Sequence, residues 1–276
     1  MSPLTILRNA LERYDISPTD TLVVGVSGGV DSMVLLNCLA QVHDPIHLIV
    51  VHVDHCLRAT ESNEDSVFVH DTCKQLGVEC ITEEVNIARR AHEQKLGLEE
   101  TGRIARKEIF ERVRIEHRAR FILLAHHLDD TVETVLLNFF RGSKLRGLCG
   151  IAEQNEKTIR PFLEIRKTQM REYASQADIA YREDSSNASD EFLRNRIRNR
   201  IIPEIEAINP HFRVNIQEFS SYARELISEI DEQLAPILAK DSVHEDVLAL
   251  LSPVAQRALI ERMYTSIHQT SVGLSE

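Results

Sequence analysis

The residues best suited to chemistry near the start of the chain form one short glycine-containing loop. It follows an apolar run, residues 21–26, and consists of Ser27, Gly28, Gly29, Val30, Asp31 and Ser32. Two glycines let the backbone approach a ligand closely, and the N–H groups of such a loop and of the next helix bind anions. The two serine hydroxyls add donors, and a carboxylate beside phosphates favours a Mg²⁺ ion between them. The loop predicts a nucleotide phosphate site; the simpler alternative is a glycine turn with Asp31 or Ser32 capping the helix.

A second group of polar residues follows another apolar run, residues 121–125. His126, Asp130 and Glu133 are spaced by four and three residues, which places them on one face at the start of a helix. Two carboxylates close to a phosphate site can bind Mg²⁺ or a substrate ammonium group. The alternative is helix capping by Asp129 with an acidic first turn, and the two interpretations are compatible.

Two histidines, His52 and His55, lie at the end of a further apolar run, residues 46–53. In a parallel sheet this is where an adenine or ribose would bind. Zinc ligation is the alternative, although no supporting Cys or His pair lies close in sequence.

Local basic patches occur although the net charge is −11. They contain Arg103 and Arg106; Arg141 and Lys144; and Arg194, Arg196 and Arg198. Arginines three apart on a helix can direct two guanidinium groups at one phosphate. In the third patch Arg194 and Arg198 share one helix face, and we expect that face to bind RNA phosphates. A solvated charged face is the alternative.

Strand-like and helix-like segments alternate through the first two thirds of the chain. The predicted strands cover residues 21–26, 46–53, 78–84 and 121–125; the predicted helices cover 4–14, 31–42, 61–76, 98–117, 130–140, 166–177, 190–202 and 212–234. This order predicts an α/β fold, a mostly parallel doubly wound sheet followed by a helical C-terminal region. The predicted division is a nucleotide-binding catalytic domain, residues 1–210, and a helical region, residues 211–276.

Composition excludes several classes of protein. Hydrophobic residues make up 43% of the 276, enough for a sizeable core, and no apolar run approaches the roughly 20 residues of a membrane helix. Five scattered cysteines argue against a disulfide framework. We expect a cytoplasmic protein without a membrane partner.

The loop at residues 27–32 resembles the pyrophosphate loop of the N-type ATP pyrophosphatases, the PP-loop superfamily, whose fold is adenine nucleotide hydrolase-like. Four further segments resemble one branch of it, the tRNA(Ile)-lysidine synthetases. They are residues 52–55, 100–110, 125–151 and 181–203. The second of these departs from the family pattern at Gly102 and Lys107.

This resemblance implies an ATP- and Mg²⁺-dependent ligase. Its substrates would be free L-lysine and the wobble cytidine of tRNA(Ile) with anticodon CAU, and its product, lysidine, would change decoding from AUG to AUA. The implied catalytic residues are Asp31, Arg106, His126, Asp130 and Glu133. The implied ATP-binding residues are Ser27, Gly28, Gly29, Val30, Asp31, Ser32 and His52, with Asp31 and Asp130 on the metal. The implied tRNA contacts are Arg103, Arg141, Lys144, Arg194, Arg196 and Arg198.

Three other functions remain open at this stage. A tRNA thiolase of the same superfamily would need a cysteine pair, and the sequence has no C-x-x-C. A small-molecule ligase such as an NAD or GMP synthetase shares only the first loop, and the arginine-rich helix argues against it. A non-catalytic ATP-sensing module would not need the three carboxylates. The oligomeric state is open between a monomer and a homodimer.

Overall fold

One six-stranded sheet forms the centre of the computed structural model, which describes residues 1–56, 61–183, 193–238 and 245–268. The strands are β1 (Leu22–Gly25), β2 (Leu48–Asp54), β3 (Glu79–Glu84), β4 (Phe121–Leu123), β5 (Gln154–Asn155) and β6 (Thr158–Ile159). Their order is β3-β2-β1-β4-β6-β5, and all neighbours are parallel except β5 and β6. The predicted mostly parallel α/β sheet is therefore confirmed.

Side chains along the central strands point alternately to the two faces of the sheet, and this divides the core into two layers. On β1, Leu22 and Val24 face one layer and Val23 faces the other, because successive side chains of a strand point to opposite faces. Both faces are apolar, as parallel strands covered by helices require. The polar residues that follow each strand consequently meet at one edge of the sheet.

Helices cover both faces and continue beyond the sheet. They are α1 (Pro3–Arg13), α2 (Val30–Val42), α3 (Glu61–Leu76), α4 (Ile87–Gln94), α5 (Leu98–Glu116), α6 (Leu128–Phe140), α7 (Lys167–Gln176), α8 (Leu193–Arg196), α9 (Ile202–Ile208), α10 (Phe212–Leu238), α11 (Glu245–Leu250) and α12 (Pro253–His268). No helix among the described ranges is both long and apolar enough to cross a membrane.

Three elements differ from the sequence-based expectation. The short helix α4 was missed, and the strand predicted from residue 46 begins only after a 3-10 turn, Pro45–His47. The helix predicted over residues 190–202 begins outside the described residues. The described residues form α8 and then change at Ile197–Ile201 into a π-helical turn before Pro203. Proline has no N–H to donate and its ring clashes with the carbonyl of residue i−4 in a continuous α-helix, and the π turn interrupts the α-helical hydrogen bonds directly before it.

The C-terminal helices are attached to the sheet domain through α10. Ser220 donates a hydrogen bond to the Leu148 carbonyl, and Arg224 donates to the Cys149 carbonyl, so α10 packs on the turn Leu145–Cys149. Farther along, α10 forms a small separate core with α12. The division at residue 210 stays a prediction.

Candidate active site

The glycine loop connects β1 to α2 and is closed by its own serines. Ser32 Oγ donates to the Gly29 carbonyl at 2.9 Å, and the Ser27 N–H donates to Ser32 Oγ at 3.2 Å. Gly28 has φ +91°, a conformation that favours glycine. The first N–H groups of α2 lack intrahelical partners and are available to an anion. The loop has the geometry of a phosphate site, with its serines engaged in shaping it.

His52 fixes the backbone beside this loop. Its ring is buried, and Nδ1 donates to the Val26 carbonyl at 2.9 Å. The carbonyl can only accept, so the hydrogen bond places the proton on Nδ1. The sequence predicted an adenine or ribose contact here, and the structure puts His52 at the end of β2, next to the loop.

A buried histidine, His127, lies between the carboxylates of the loop and of α6. Its Nε2 is 3.5 Å from Asp31 Oδ2, and its Nδ1 is 3.5 Å from Asp129 Oδ2 and from Asp130 Oδ2. Burial disfavours the imidazolium, but the charges of Asp130 and Asp31 raise the pKa of His127 above its ordinary value. The sequence analysis singled out the neighbouring His126 and not His127, since the motif alone does not show which imidazole lies between the carboxylates.

Asp130 is ionised at the first turn of α6. Its Oδ2 accepts the His127 backbone N–H at 3.0 Å, as a helix-capping carboxylate does. Burial disfavours the charged form, yet the imidazoles of His127 and His126 and the guanidinium of Arg194 lower the pKa of Asp130.

Glu133 is bound by two arginines of the C-terminal half of the chain. Its side chain is 1% exposed, and it accepts from Arg194 Nε at 2.9 Å and from Arg198 Nε at 2.6 Å. Arg194 also contacts Asp130 Oδ1 at 3.5 Å. The predicted shared face of Arg194 and Arg198 is present, but it faces the carboxylates. Arg196, on the other side of the helix, is exposed.

His126 and Arg106 lie at the rim of the same cluster. Burial lowers the pKa of His126 to about 4, and its Nδ1 has no hydrogen-bond partner among the described residues. Arg106 Nη1 is 3.1 Å from His55 Nε2, and burial together with this guanidinium lowers the pKa of His55 to about 4. Both imidazoles are therefore neutral at pH 7.

Two cations that the sequence analysis did not single out reach the site from elements near the sheet edge. Lys167, the first residue of α7, places Nζ 3.7 Å from Asp31 Oδ2, and its backbone N–H donates to Asp129 Oδ2 at 2.7 Å. Arg160 follows β6; its Nε is buried without a partner, and burial lowers its pKa. For Arg160 the signal was a polar residue directly after a short apolar segment, which the sequence analysis did not use; Lys167 has no such signal.

The remaining tRNA-binding candidates lie away from the carboxylates. Arg103 is paired with Glu100 on α5, and Lys144 is paired with Glu261 on α12. Arg141 is exposed at the end of α6. The segment 184–187, which carried part of the family resemblance, lies outside the described residues.

The carboxylates fit a nucleotide-bound Mg²⁺ better than a metal held by protein alone. Within the described ranges, no group of three or more His, Cys, Asp or Glu side chains could hold a metal ion. Mg²⁺ on a nucleotide needs only one or two carboxylates, because phosphate and water oxygens complete its octahedron. Asp31 Oδ1 is buried and lacks a hydrogen-bond partner, which suits such a ligand. Asp130 lies on the other side of the His127 ring.

The strand ends of this parallel sheet carry a glycine loop, a loop carboxylate and cations that face inward. Together these features define an α/β protein that binds nucleotide phosphates. Residues 4–205 match the family described as PP-loop domain, and the chain belongs to that family. A U34-tRNA thiolase, NcsA from Methanococcus maripaludis with its [4Fe-4S] cluster, shares the fold with a TM-score of 0.65 at 20% identity. The match covers 80% of this chain and 78% of that one.

Curated relatives are more similar in sequence. A tRNA(Ile)-lysidine synthase from Bacillus subtilis (strain 168) is 36% identical over 230 residues, which cover 82% of this chain and 48% of the relative. A bifunctional protein TilS/HprT from Listeria monocytogenes serotype 4b (strain F2365) is 36% identical over 245 residues, covering 86% and 37%. The chain spans about half the length of the curated relatives it matches, or less.

Proposed function

We propose that the protein is a tRNA(Ile)-lysidine synthetase that uses ATP to join lysine to the wobble cytidine of a CAU anticodon. The observation that carries the proposal is the pair of carboxylate environments on α6. Asp130 faces the phosphate loop across His127, whereas Glu133 faces arginines and not the loop. Two substrates of different charge, a nucleotide and an amino acid, need two such environments. The similarity to curated lysidine synthases supports the same conclusion.

In the first step the C2 carbonyl oxygen of cytidine attacks the α-phosphate of ATP, and pyrophosphate leaves. The loop N–H groups, Lys167 and Arg160 bind the phosphate oxygens, where fixed positive charge stabilises the transition state. Asp31 would hold Mg²⁺, which neutralises negative charge on the phosphates when bound, and Asp130, separated from Asp31 by the His127 ring, would join it only if that ring moved. His126, neutral at pH 7, can donate or accept a hydrogen bond at the reacting phosphate without adding charge.

In the second step the lysine amine attacks C2 of the adenylated base, and AMP leaves. A free lysine ammonium has a pKa near 10.4, so the amine must lose a proton before it attacks. Asp130 and Glu133 are the carboxylates available to bind the ammonium and accept that proton. For Glu133 to do so, at least one of its two arginine contacts must give way. The product then carries lysine on C2, which alters decoding from AUG to AUA.

The test is pyrophosphate release by this chain with ATP and total tRNA, with and without lysine, followed by analysis of the modified base. We expect pyrophosphate without lysine and lysidine only with it. Asp31→Ala should lower pyrophosphate release at least about a hundredfold, since a metal-linked carboxylate contributes roughly 3 kcal/mol in the transition state. Pyrophosphate release without any change in tRNA, or a sulfur-containing product, would contradict the proposal.

A further inference from the structure

Two exposed phenylalanines end the helix that begins in the candidate active site. Phe139 and Phe140 are 63% and 52% exposed, the highest values for phenylalanine among the described residues. Their ring centroids lie 6.2 Å apart at 67°, an edge-to-face arrangement. Two adjacent exposed aromatic rings form a contiguous apolar patch, which is a candidate interaction surface. The sequence analysis gave neither residue a role.

The turn that follows anchors the end of the helix that carries these rings. Gly142 ends α6 with φ +73°, and the Ser143 N–H donates to the Asn138 carbonyl at 2.9 Å. The Asn138 side chain donates in turn to the Gly147 carbonyl at 2.7 Å. The aromatic pair is therefore presented by an anchored helix end, and little conformational entropy would be lost when a ligand packs on it.

An exposed arginine lies directly beside the rings. Arg141 follows the pair directly and is exposed, and it lies close enough to α5 to act on Glu100. Arg103, paired with Glu100, lowers the pKa of that carboxyl most strongly, and Arg141 lowers it further. The Arg141 guanidinium therefore places a positive charge next to an aromatic surface. That combination fits single-stranded nucleic acid, whose bases stack on aromatic rings and whose phosphates attract arginine.

The distance along α6 between the candidate active site and the two rings also fits an RNA ligand. Phe139 and Phe140 follow Asp130 and Glu133 by nine and seven residues, which is about 10 to 14 Å along a helix. At about 3.4 Å per stacked nucleotide, this corresponds to three or four nucleotides. We propose that Phe139 and Phe140, with Arg141, form a stacking surface for unpaired bases of the RNA substrate, three or four nucleotides from the base that reacts. This inference rests on the proposed function, from which it takes RNA as the ligand.

Binding of tRNA to the whole chain, measured over a range of salt concentrations, tests the inference. Phe139→Ala/Phe140→Ala should weaken binding roughly five- to a hundredfold, because stacking of one base contributes that much, and should leave the salt slope unchanged. Arg141→Ala is the matched control: it should lower the salt slope by about one unit. The double Leu variant keeps apolar area without an aromatic face and should bind as weakly as the double Ala variant. Since both rings are exposed, thermal unfolding should shift little in any of these variants.

The chain contains no tryptophan, so Phe140→Trp introduces a single fluorescent reporter. Stacking predicts quenching of this tryptophan by tRNA and by an unpaired oligoribonucleotide, and no change with protein concentration alone. Emission that shifts with protein concentration in the absence of RNA would assign the surface to self-association and overturn the inference. Full tRNA affinity in the double Ala or the double Leu variant would overturn it as well while leaving the proposed function intact. Failure of the unaltered chain to bind any tRNA would overturn both.

Discussion

At the scale of single residues, the candidate active site is organised by buried charged side chains of opposite sign that pair with one another. Glu133 is 1% exposed and bound by Arg194 and Arg198, which are each 27% exposed. A buried carboxylate is tolerated only when such partners replace its water. Removing the charge of Glu133 would take away the buried anion that Arg194 and Arg198 share, although Arg194 keeps its longer contacts with Asp130 and Glu99.

We therefore expect Glu133→Gln to lower the free energy of unfolding by about 2 to 4 kcal/mol. Urea unfolding followed by circular dichroism measures this change. Glu111→Gln is the matched control, because the Glu111 carboxylate, which pairs with Arg114, is 41% exposed, and its loss should cost under about 1 kcal/mol. Equal effects of the two substitutions would show that the Glu133 cluster contributes no more than a surface ion pair.

Lys167 gives a second prediction at this scale, because its ammonium reaches the loop carboxylate from α7. Lys167→Met should weaken binding of inorganic pyrophosphate and of ATP roughly ten- to a hundredfold, as expected for loss of a hydrogen bond to a charged group. Lys167→Arg should retain part of the affinity. Lys157→Met serves as the control in isothermal titration, because Lys157 is exposed and precedes β6, at the edge of the parallel sheet opposite to the loop. Unchanged pyrophosphate affinity in Lys167→Met would remove this residue from the phosphate site.

At the scale of elements, tight contacts position α6 against the C-terminal helices. Gly150 follows the turn Leu145–Cys149 with φ +65°, and a Cβ there would lie 2.7 Å from Thr131 Cγ2 and 3.3 Å from Val135 Cγ2. Only glycine fits that conformation and that space. The close approach of this turn to α6 supports the register in which Asp130 and Glu133 face the site.

Gly150→Ala should consequently destabilise the fold more than Gly142→Ala does. Gly142 also has a positive φ, +73°, but open space surrounds the position of its Cβ. Backbone strain alone costs about 1 kcal/mol in both variants, and Gly150→Ala should lose about 1 to 3 kcal/mol more from overpacking. The difference between the melting temperatures of the two variants measures this extra loss of stability. A Gly142→Ala variant as unstable as Gly150→Ala would refute the steric argument.

The elements were largely predictable, and the partners of the site residues were less so. The central strands β1, β2 and β4 are continuous apolar runs followed by polar residues, which the sequence shows directly. The direction of Arg198 toward Glu133 depends on how α8 and the π turn dock on α6, and periodicity fixes only which residues share a face. The short helix α4 also lacks the long apolar period that reveals a helix. Local patterns specify elements, and packing between distant elements specifies partners.

At the scale of the whole molecule, the sheet domain carries its functional groups in unusual ionisation states. His126 and His55 are both held neutral, with pKa values lowered to about 4, whereas the pKa of His127 is raised by the carboxylates around it. In the unfolded chain each imidazole has a pKa near 6.5. Each pKa shift therefore makes the free energy of unfolding depend on pH. The lowered pKa values act below pH 6.5, and the raised pKa of His127 acts above it.

Between pH 6.5 and about 4 the unfolded chain binds a proton at His126 that the folded chain does not bind, so stability must fall as pH falls. One such group contributes a slope of about 1.4 kcal/mol per pH unit within this window. His126→Gln should remove that contribution, so that the variant loses less stability than the unaltered protein when pH is lowered from 6.5 to 4.5. His70→Gln, at an exposed position, should keep the original slope. Urea unfolding at several pH values measures both, and identical slopes for His126→Gln and the unaltered protein would mean that His126 titrates normally in the folded chain.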